Sequence, residues 1–425
     1  MVRRAPAFEP QLGRAGGDRI VTLLERLRAR KPKGAASPPD LAATTAEGRV
    51  EDSAAPRRAG PSDRTGAERG AESSQTGATG GAPASHDQTE TEEESLAVLE
   101  RAIRRRHGFA FLLAVVNHPG RRDRLCADLR SRLPDDELPT VTVTRLSDAT
   151  VLDQIAAQLA ELDGPTRANP AALLVHGIEE LVDLGDDHWT KLAGLNLSRE
   201  LAAKQLPLPV IVWLPAYALR RISHNAPDLW AWRANVVYFL GTPADAHDTL
   251  ATLADDLGDD LHEHVARLEL LRDISGELVD SGVESEPERA AVGLALGREA
   301  MFLDDLRGAD ASLSGALPVF RQAGARLGEA NTLVALGDLA VRNDDLTGAR
   351  QHYDQALPLY RQIGARLGEA NTLVSMAQLA LVENDATRAR RLFEEAGALY
   401  EVVHNTAWAR FCREAAAAIV DRPSS

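Results

Sequence analysis

Cysteine is nearly missing from this 425-residue chain: Cys126 and Cys412 are the two it has, far apart. Such a pair builds neither a disulfide framework nor a zinc ligand set. Both are expected in apolar cores, in a reducing compartment. Aromatic residues make up 4 %, poor material for an all-β sandwich and better suited to Ala/Leu-rich helical packing. Positive charge is in deficit, with 48 Lys+Arg against 63 Asp+Glu and a net charge of -15. A duplex nucleic-acid binder needs a basic face to displace counterions, so nucleic acid is not an expected partner. Long apolar runs are missing too. The longest, residues 109–116, falls far short of the ~20 residues that span a bilayer. Arg3 and Arg4 are not followed by the apolar stretch of a secretory signal. The expectation is a cytoplasmic protein with no membrane attachment. Metal and nucleophile motifs are lacking as well: His262 and His264 stand two apart, on different helix faces, and there is no His-Glu-x-x-His or Gly-x-Ser-x-Gly.

What is there suffices for two or three domains at roughly 100–200 residues each, with 44 % hydrophobic residues to fill their cores. Residues 1–92 read as a disordered N-terminal region. Within it, residues 18–31 carry Ile20, Leu23, Leu24 and Leu27 beside Arg26, Arg28 and Arg30. That short stripe fits a docking or membrane-surface helix, or more simply a marginal helix with no partner. Residues 32–91 are dominated by Gly, Ala, Ser, Thr, Pro and charge, too few large apolar side chains to offset chain entropy.

Residues 93–245 alternate. Strand-like runs at 109–116, 140–146, 172–175, 210–214 and 235–240 are separated by helix-like runs at 122–133, 151–162, 191–205 and 217–223. Such alternation predicts an α/β domain with parallel strands and crossover helices. Residues 246–284 hold a connecting helix over 261–278, with Val265, Leu268, Leu271 and Ile274 along one face. Near Trp230 and Trp232, Arg233 completes a cluster that fits an interface, though packing is expected for at least one tryptophan.

The strongest signal lies in residues 285–425. The stretch GARLGEANTLV at 324–334 returns unchanged at 364–374, and ALPVFRQ at 316–322 returns as ALPLYRQ at 356–362. An internal repeat of 40 residues means stacked supersecondary units. Small residues recur where two helices must cross closely: Gly337, Ala349 and Ala356 in one unit, Ala377, Ala389 and Ala396 in the next, Gly297, Ala309 and Ala316 in a diverged unit before them. Large residues recur between them, Leu336 and Tyr353, Met376 and Phe393, Leu296 and Leu313.

This pattern resembles the tetratricopeptide repeat, with Leu333 and Leu373 where the family usually has tryptophan. The resemblance implies an α-solenoid of about three hairpins plus a capping helix, binding a protein or peptide on a concave face lined by the first helices. Carried over by position, that face takes Arg298, Asn331, Asp338, Arg342, Asn371 and Gln378. It lacks a lysine-rich clamp for a C-terminal carboxylate.

The strand–loop–helix over 109–133 stands where a phosphate-binding loop would be, yet it reads Asn117-His118-Pro119-Gly120-Arg121-Arg122-Asp123, with one glycine, no lysine and no Ser/Thr. The run Leu173-Leu174-Val175-His176-Gly177-Ile178-Glu179-Glu180-Leu181 resembles the second nucleotide motif of NACHT/STAND signalling NTPases, with His176 at the metal-binding aspartate. The resemblance implies a degenerate P-loop-like domain whose residual nucleotide site would comprise Gly120, Arg121, Arg122 and Glu179. Lys, Ser/Thr and Asp each hold Mg-triphosphate in that chemistry, so hydrolysis is not expected without them. No catalytic residue and no metal are expected, and ATP is not an expected cofactor. The reading is an adaptor or regulatory scaffold. The alternative is a signalling switch that binds nucleotide with little or no hydrolysis, and the third is an enzyme with an unrecognised site. Oligomerisation is compatible with each.

Overall fold

The computed structural model describes residues 91–105, 108–134, 137–144, 150–161, 170–181, 199–253, 261–280 and 286–419. The readings for residues 1–90, including the short helix at 18–31, and for the first part of the helix at 191–205 lie outside the described residues. Five strands appear where the apolar runs predicted them: β1 Ala110–Val115, β2 Thr140–Thr142, β3 Leu173–His176, β4 Pro209–Leu214 and β5 Arg233–Tyr238. They form one parallel sheet in the order β2-β3-β4-β1-β5.

Successive side chains of the inner strands feed two different cores, as a period of two requires. Leu113, Val115, Val210, Val212 and Leu214 join one apolar cluster, while Leu112, Ala114, Ile211 and Trp213 join the other. Burial on both faces is why these strands read as unbroken apolar runs. The second cluster is completed by α1 (Glu92–Arg105), through Leu96, Leu99 and Ile103, and by α2 (Pro119–Arg132), through Leu125, Cys126 and Leu129. The first is completed by α3 (Val151–Glu161) and α5 (Ala216–Asn225). The short α4 (Arg199–Gln205) leads into β4, and α6 (Pro227–Ala231) leads into β5.

An exposed sheet edge invites pairing with another chain, and the β2 edge is covered by two glutamines one helical turn apart on α3. Gln158 accepts from the Thr142 N–H at 3.0 Å and donates to its carbonyl at 2.6 Å; Gln154 does the same for Thr144 at 2.9 and 3.2 Å. After β5 come α7 (Pro243–Thr252), opened by a reciprocal Thr242–Asp245 capping box, and α8 (Leu261–Asp280).

The remaining helices are α9 (Glu286–Phe302), α10 (Leu306–Ala323), α11 (Arg326–Arg342), α12 (Leu346–Ile363), α13 (Arg366–Val382), α14 (Ala386–Val402) and α15 (Thr406–Ala418). They pack as antiparallel pairs α9/α10, α11/α12 and α13/α14, with α15 closing the end. First helices also pack on first helices, α9 on α11 and α11 on α13, whereas second helices touch one another marginally at most. The first helices therefore line the inner side of the curve.

The identical stretches form the joint between hairpins. Glu329, buried, accepts from Arg321 at 3.0 Å and Arg326 at 2.9 Å; Glu369 accepts from Arg361 at 2.8 Å and Arg366 at 3.0 Å. Gly328 lies under the Phe320 ring and Gly368 under the Tyr360 ring, each too close for a Cβ. Gly324 and Gly364 end the preceding helices in the left-handed conformation, at φ 68° and 70°. Each element is needed wherever one hairpin meets the next, which is why the stretch returns unchanged.

Candidate binding face and the closed crevice of the sheet

The inner helices carry the predicted groove residues, and the structure separates them. Asp338 is exposed and accepts from the Tyr353 hydroxyl at 2.6 Å. Gln378 and Asn371 are partly exposed, and the Asn371 side-chain Oδ1 accepts from the Tyr400 hydroxyl. Arg342 is exposed at the end of α11 and donates to the Met301 carbonyl, with Asp304 at 3.8 Å, so it also ties α11 to α9. Arg298 is partly exposed, with Nη1 buried and without a hydrogen-bond partner.

Asn331 corrects the expectation of a solvent-facing groove asparagine. It is 0 % exposed and its side-chain oxygen accepts from Tyr360 at 2.6 Å. The cause is the second helix: Tyr360, at the end of α12, reaches under α11 and takes the amide inward. Burial pushes the Tyr353, Tyr360 and Tyr400 hydroxyls up, so all three stay protonated and act as donors.

The other candidate is the crevice outside the carboxyl ends of the strands, where open parallel sheets bind ligands at the point of topological reversal. In this sheet the chain leaves β1 toward β2 and leaves neighbouring β4 toward β5, so the reversal falls between β1 and β4. Three residues, Val116, Asn117 and His118, separate β1 from α2. That is shorter than a loop able to encircle a phosphate, in which four residues separate the two glycines. The expected residual nucleotide site is accordingly dispersed. Gly120 sits in the first turn of α2, where a Cβ would meet Arg124 Nη1 at an ordinary 3.7 Å, so nothing there needs a glycine. Arg121 turns away to Asp245 at 2.8 Å and to Glu92. Arg122 turns the other way, 4.0 Å from Glu179. Burial raises the Glu179 carboxyl, and its Oε2 has no partner.

The residues that follow β1 instead bind a carboxylate of the chain itself. Glu277 of α8 accepts from Asn117 Nδ2 at 2.8 Å and from the Gly241 N–H at 3.1 Å, and pairs with His118 Nε2 at 3.0 Å. A Cβ on Gly241 would lie 1.9 Å from His118 Nε2, so this approach requires glycine. Asn117 also accepts from the Ala216 N–H at 2.8 Å, and His118 Nδ1 meets Thr249 at 2.9 Å. One turn back along α8, Asp273 accepts from Arg220 at 2.6 Å; a further turn back, Glu269 lies 3.5 Å from the same guanidinium. Residues 269, 273 and 277 are spaced by four and form one stripe. That acidic spacing was the sequence signal for this contact. The apolar face of the same helix, Leu268, Leu271 and Ile274, packs with α9.

At the end of β3, His176 faces the Cys126 sulfur at 3.7 Å. Burial lowers the imidazole to about 4 and raises the thiol to about 12, so both are neutral at pH 7 and form no nucleophile pair. Gly177 has φ 83°, and a Cβ would strike the Val143 carbonyl at 2.1 Å, which accounts for the glycine in that motif. Because the folded state resists protonating His176, stability is complete above the usual pKa of about 6.5 and is lost as the pH falls toward 4. The His176→Gln variant is expected to show a smaller fall in melting temperature between pH 7 and pH 4 than the parent protein, measured by circular dichroism. Trp230 packs on the sheet beneath Arg233, whose guanidinium carbon is 3.8 Å from the ring centre. Trp232 stays 37 % exposed against Phe109. Among the described residues no His/Cys/Asp/Glu group has metal-holding geometry and no helix is long and apolar enough to cross a membrane.

Comparison with known proteins agrees with the helical half. Residues 303–402 match the tetratricopeptide repeat family. No curated protein matches the sequence. Among solved structures, BtubC (BKLC) from P. vanneervenii is 13 % identical over 57 % of this chain and 97 % of its own, with a TM-score of 0.31. The Aeropyrum pernix ORC2 protein in its ADP form is 16 % identical over 54 % and 67 %, with a TM-score of 0.26. In its ADPNP-ADP complexes it is 12 % identical over 75 % and 96 %, with a TM-score of 0.27. At this level of superposition none of them bears on the chemistry of this chain. The protein carries a tetratricopeptide-repeat solenoid behind an α/β domain with a parallel five-stranded sheet.

Proposed function

We propose that the protein is a non-catalytic adaptor that holds a protein or peptide partner against the inner face of its solenoid. One observation carries this reading. The joint residues Arg321, Gly328 and Glu329 return as Arg361, Gly368 and Glu369, and Asn331 returns as Asn371, whereas the following positions of the inner helices differ: Arg298, Asp338 and Gln378 at one level, Phe302, Arg342 and Val382 at the next. A repeat scaffold that reads a ligand keeps its joints and varies its surface.

A photo-crosslinking amino acid at Gln378 of the full chain is expected to trap a defined partner in cells, and the same group at exposed Asp354 on α12 is not. Equal or absent crosslinking at both positions would sink the reading. The alternative, a nucleotide-binding switch, has less support, because Glu277 fills the crevice and the β1–α2 loop is short. Titration with ATP and magnesium is expected to give no saturable binding at micromolar concentrations; saturation there would restore that alternative.

A further inference from the structure

An aromatic and arginine surface lies on the α/β domain, at the amino ends of β1 and β5 and so at the opposite end of the sheet from the crevice. Phe111 of β1 is in register with Arg233 of β5, so the residues that lead into the two strands meet. The Phe109 and Trp232 rings are 6.0 Å apart, and Trp232 is 37 % exposed. Its chain neighbours Ala231, Ala234 and Asn235 are small and exposed. Arg233 is held in one pose. Its guanidinium stacks on Trp230 at 3.8 Å, and Nη1 donates to the Trp230 carbonyl at 2.7 Å.

The end of α1 brings further positive charge to this corner, since α1 stops at Arg105 just before β1 starts at Ala110. Residues 101–109 hold Arg101, Arg104, Arg105 and Arg106 and no acid. Arg101, Arg104 and Arg105 are exposed. Arg104 pairs with Glu100 at 2.5 Å, whereas Arg101 and Arg105 have no carboxylate partner among the described residues. The neighbouring α2 shows the contrast: Arg121, Arg122, Arg124, Arg130 and Arg132 are each bonded to a carboxylate or a carbonyl. The corner is therefore a local excess of uncompensated positive charge, beside an exposed indole, on a chain of net charge -15. Tryptophan and arginine are the side chains that dominate binding hot spots. A guanidinium already fixed in place loses little freedom when a carboxylate docks on its fork.

The size of the partner follows from screening. Charges further apart than about 8 Å are largely screened at physiological ionic strength. A short acidic peptide responds to the corner alone. A duplex or an anionic membrane also faces the negative remainder of the chain and is repelled. We infer that this corner docks an acidic polypeptide segment of a second partner, with carboxylates on Arg101, Arg105 and Arg233 and an apolar side chain against Trp232. The surface belongs to the α/β domain and stands or falls separately from the inner face of the solenoid.

The test is fluorescence anisotropy of the full chain with a labelled dodecapeptide of Glu-Glu-Phe repeats, beside its Gln-Gln-Phe counterpart and a twelve-nucleotide oligo(dT). The acidic peptide is expected to saturate at micromolar concentrations, and the Gln counterpart should bind at least tenfold more weakly. The double variant Arg101→Ala/Arg105→Ala, and Trp232→Ser alone, should each weaken the acidic peptide at least tenfold while melting with the parent. Arg391→Ala, which removes an exposed arginine of α14, should leave its Kd within twofold. Lack of saturation would overturn the inference. So would equal losses in Arg391→Ala and the corner variants, which would mark diffuse attraction. Oligo(dT) binding as tightly as the acidic peptide would overturn it too, because the corner would then be a stacking platform for bases.

Discussion

Gly337→Ala is expected to destabilise the solenoid by about 3 kcal/mol, although alanine is the better helix former by ~1 kcal/mol. A Cβ at this position would lie 2.4 Å from Tyr353 Cε1. The ring cannot swing aside, because Tyr353 is 1 % exposed and its hydroxyl is bonded to Asp338. Overpacking of this kind costs ~1–3 kcal/mol, and displacing the ring loses a hydrogen bond of ~1 kcal/mol besides. Gly315 supplies the opposite sign. It is exposed in α10 with nothing within 4 Å of its added Cβ, so Gly315→Ala should stabilise by up to ~1 kcal/mol. Urea unfolding of the two variants beside the parent reads both effects. A neutral or stabilising Gly337→Ala would mean that α11 and α12 cross less closely than described.

Glu277→Ala is expected to cost about 3 kcal/mol, because it strands the donors of Asn117 and Gly241 and removes the partner of His118 together. Asn117 is 3 % exposed and His118 is 1 % exposed, so water cannot replace the carboxylate without opening the crevice. Hydrogen exchange should rise in α8 and in the β1–α2 loop, with the α11–α13 joint unchanged. Glu277→Gln keeps the shape and one acceptor and should fall between. If Glu277→Ala melts with the parent, the contact is dispensable and α8 is held by its apolar face alone.

Much of the fold could be read before any coordinates. Burial on both faces wrote β1, β3 and β4 as apolar runs, and the repeated joint marked the solenoid. Three helices escaped. α1 and α7 begin at capping pairs, Thr91–Glu94 and Thr242–Asp245, in which side chains bond the free N–H groups of the first turn. Those pairs were the local signal. The third, α6, is five residues long and too short for periodicity to register. The site was harder to read because its bonds join distant residues. Glu277 meets Asn117 across 160 positions, and no local pattern shows which donors a helix will meet. Asn331 failed for a related reason. Its level on the helix fits a groove, but Tyr360, 29 residues later, decides where its amide points.

The hairpin joint has a consequence at the level of the gene. Arg321, Gly328 and Glu329 make the same contacts as Arg361, Gly368 and Glu369, so the second hairpin ends as the first ended. An in-frame copy of one 40-residue unit would arrive with both of its mating surfaces already correct. The number of hairpins can therefore change when one unit is duplicated or lost in frame, with no compensating substitution, and the length of the reading surface becomes a trait that varies separately from its fold.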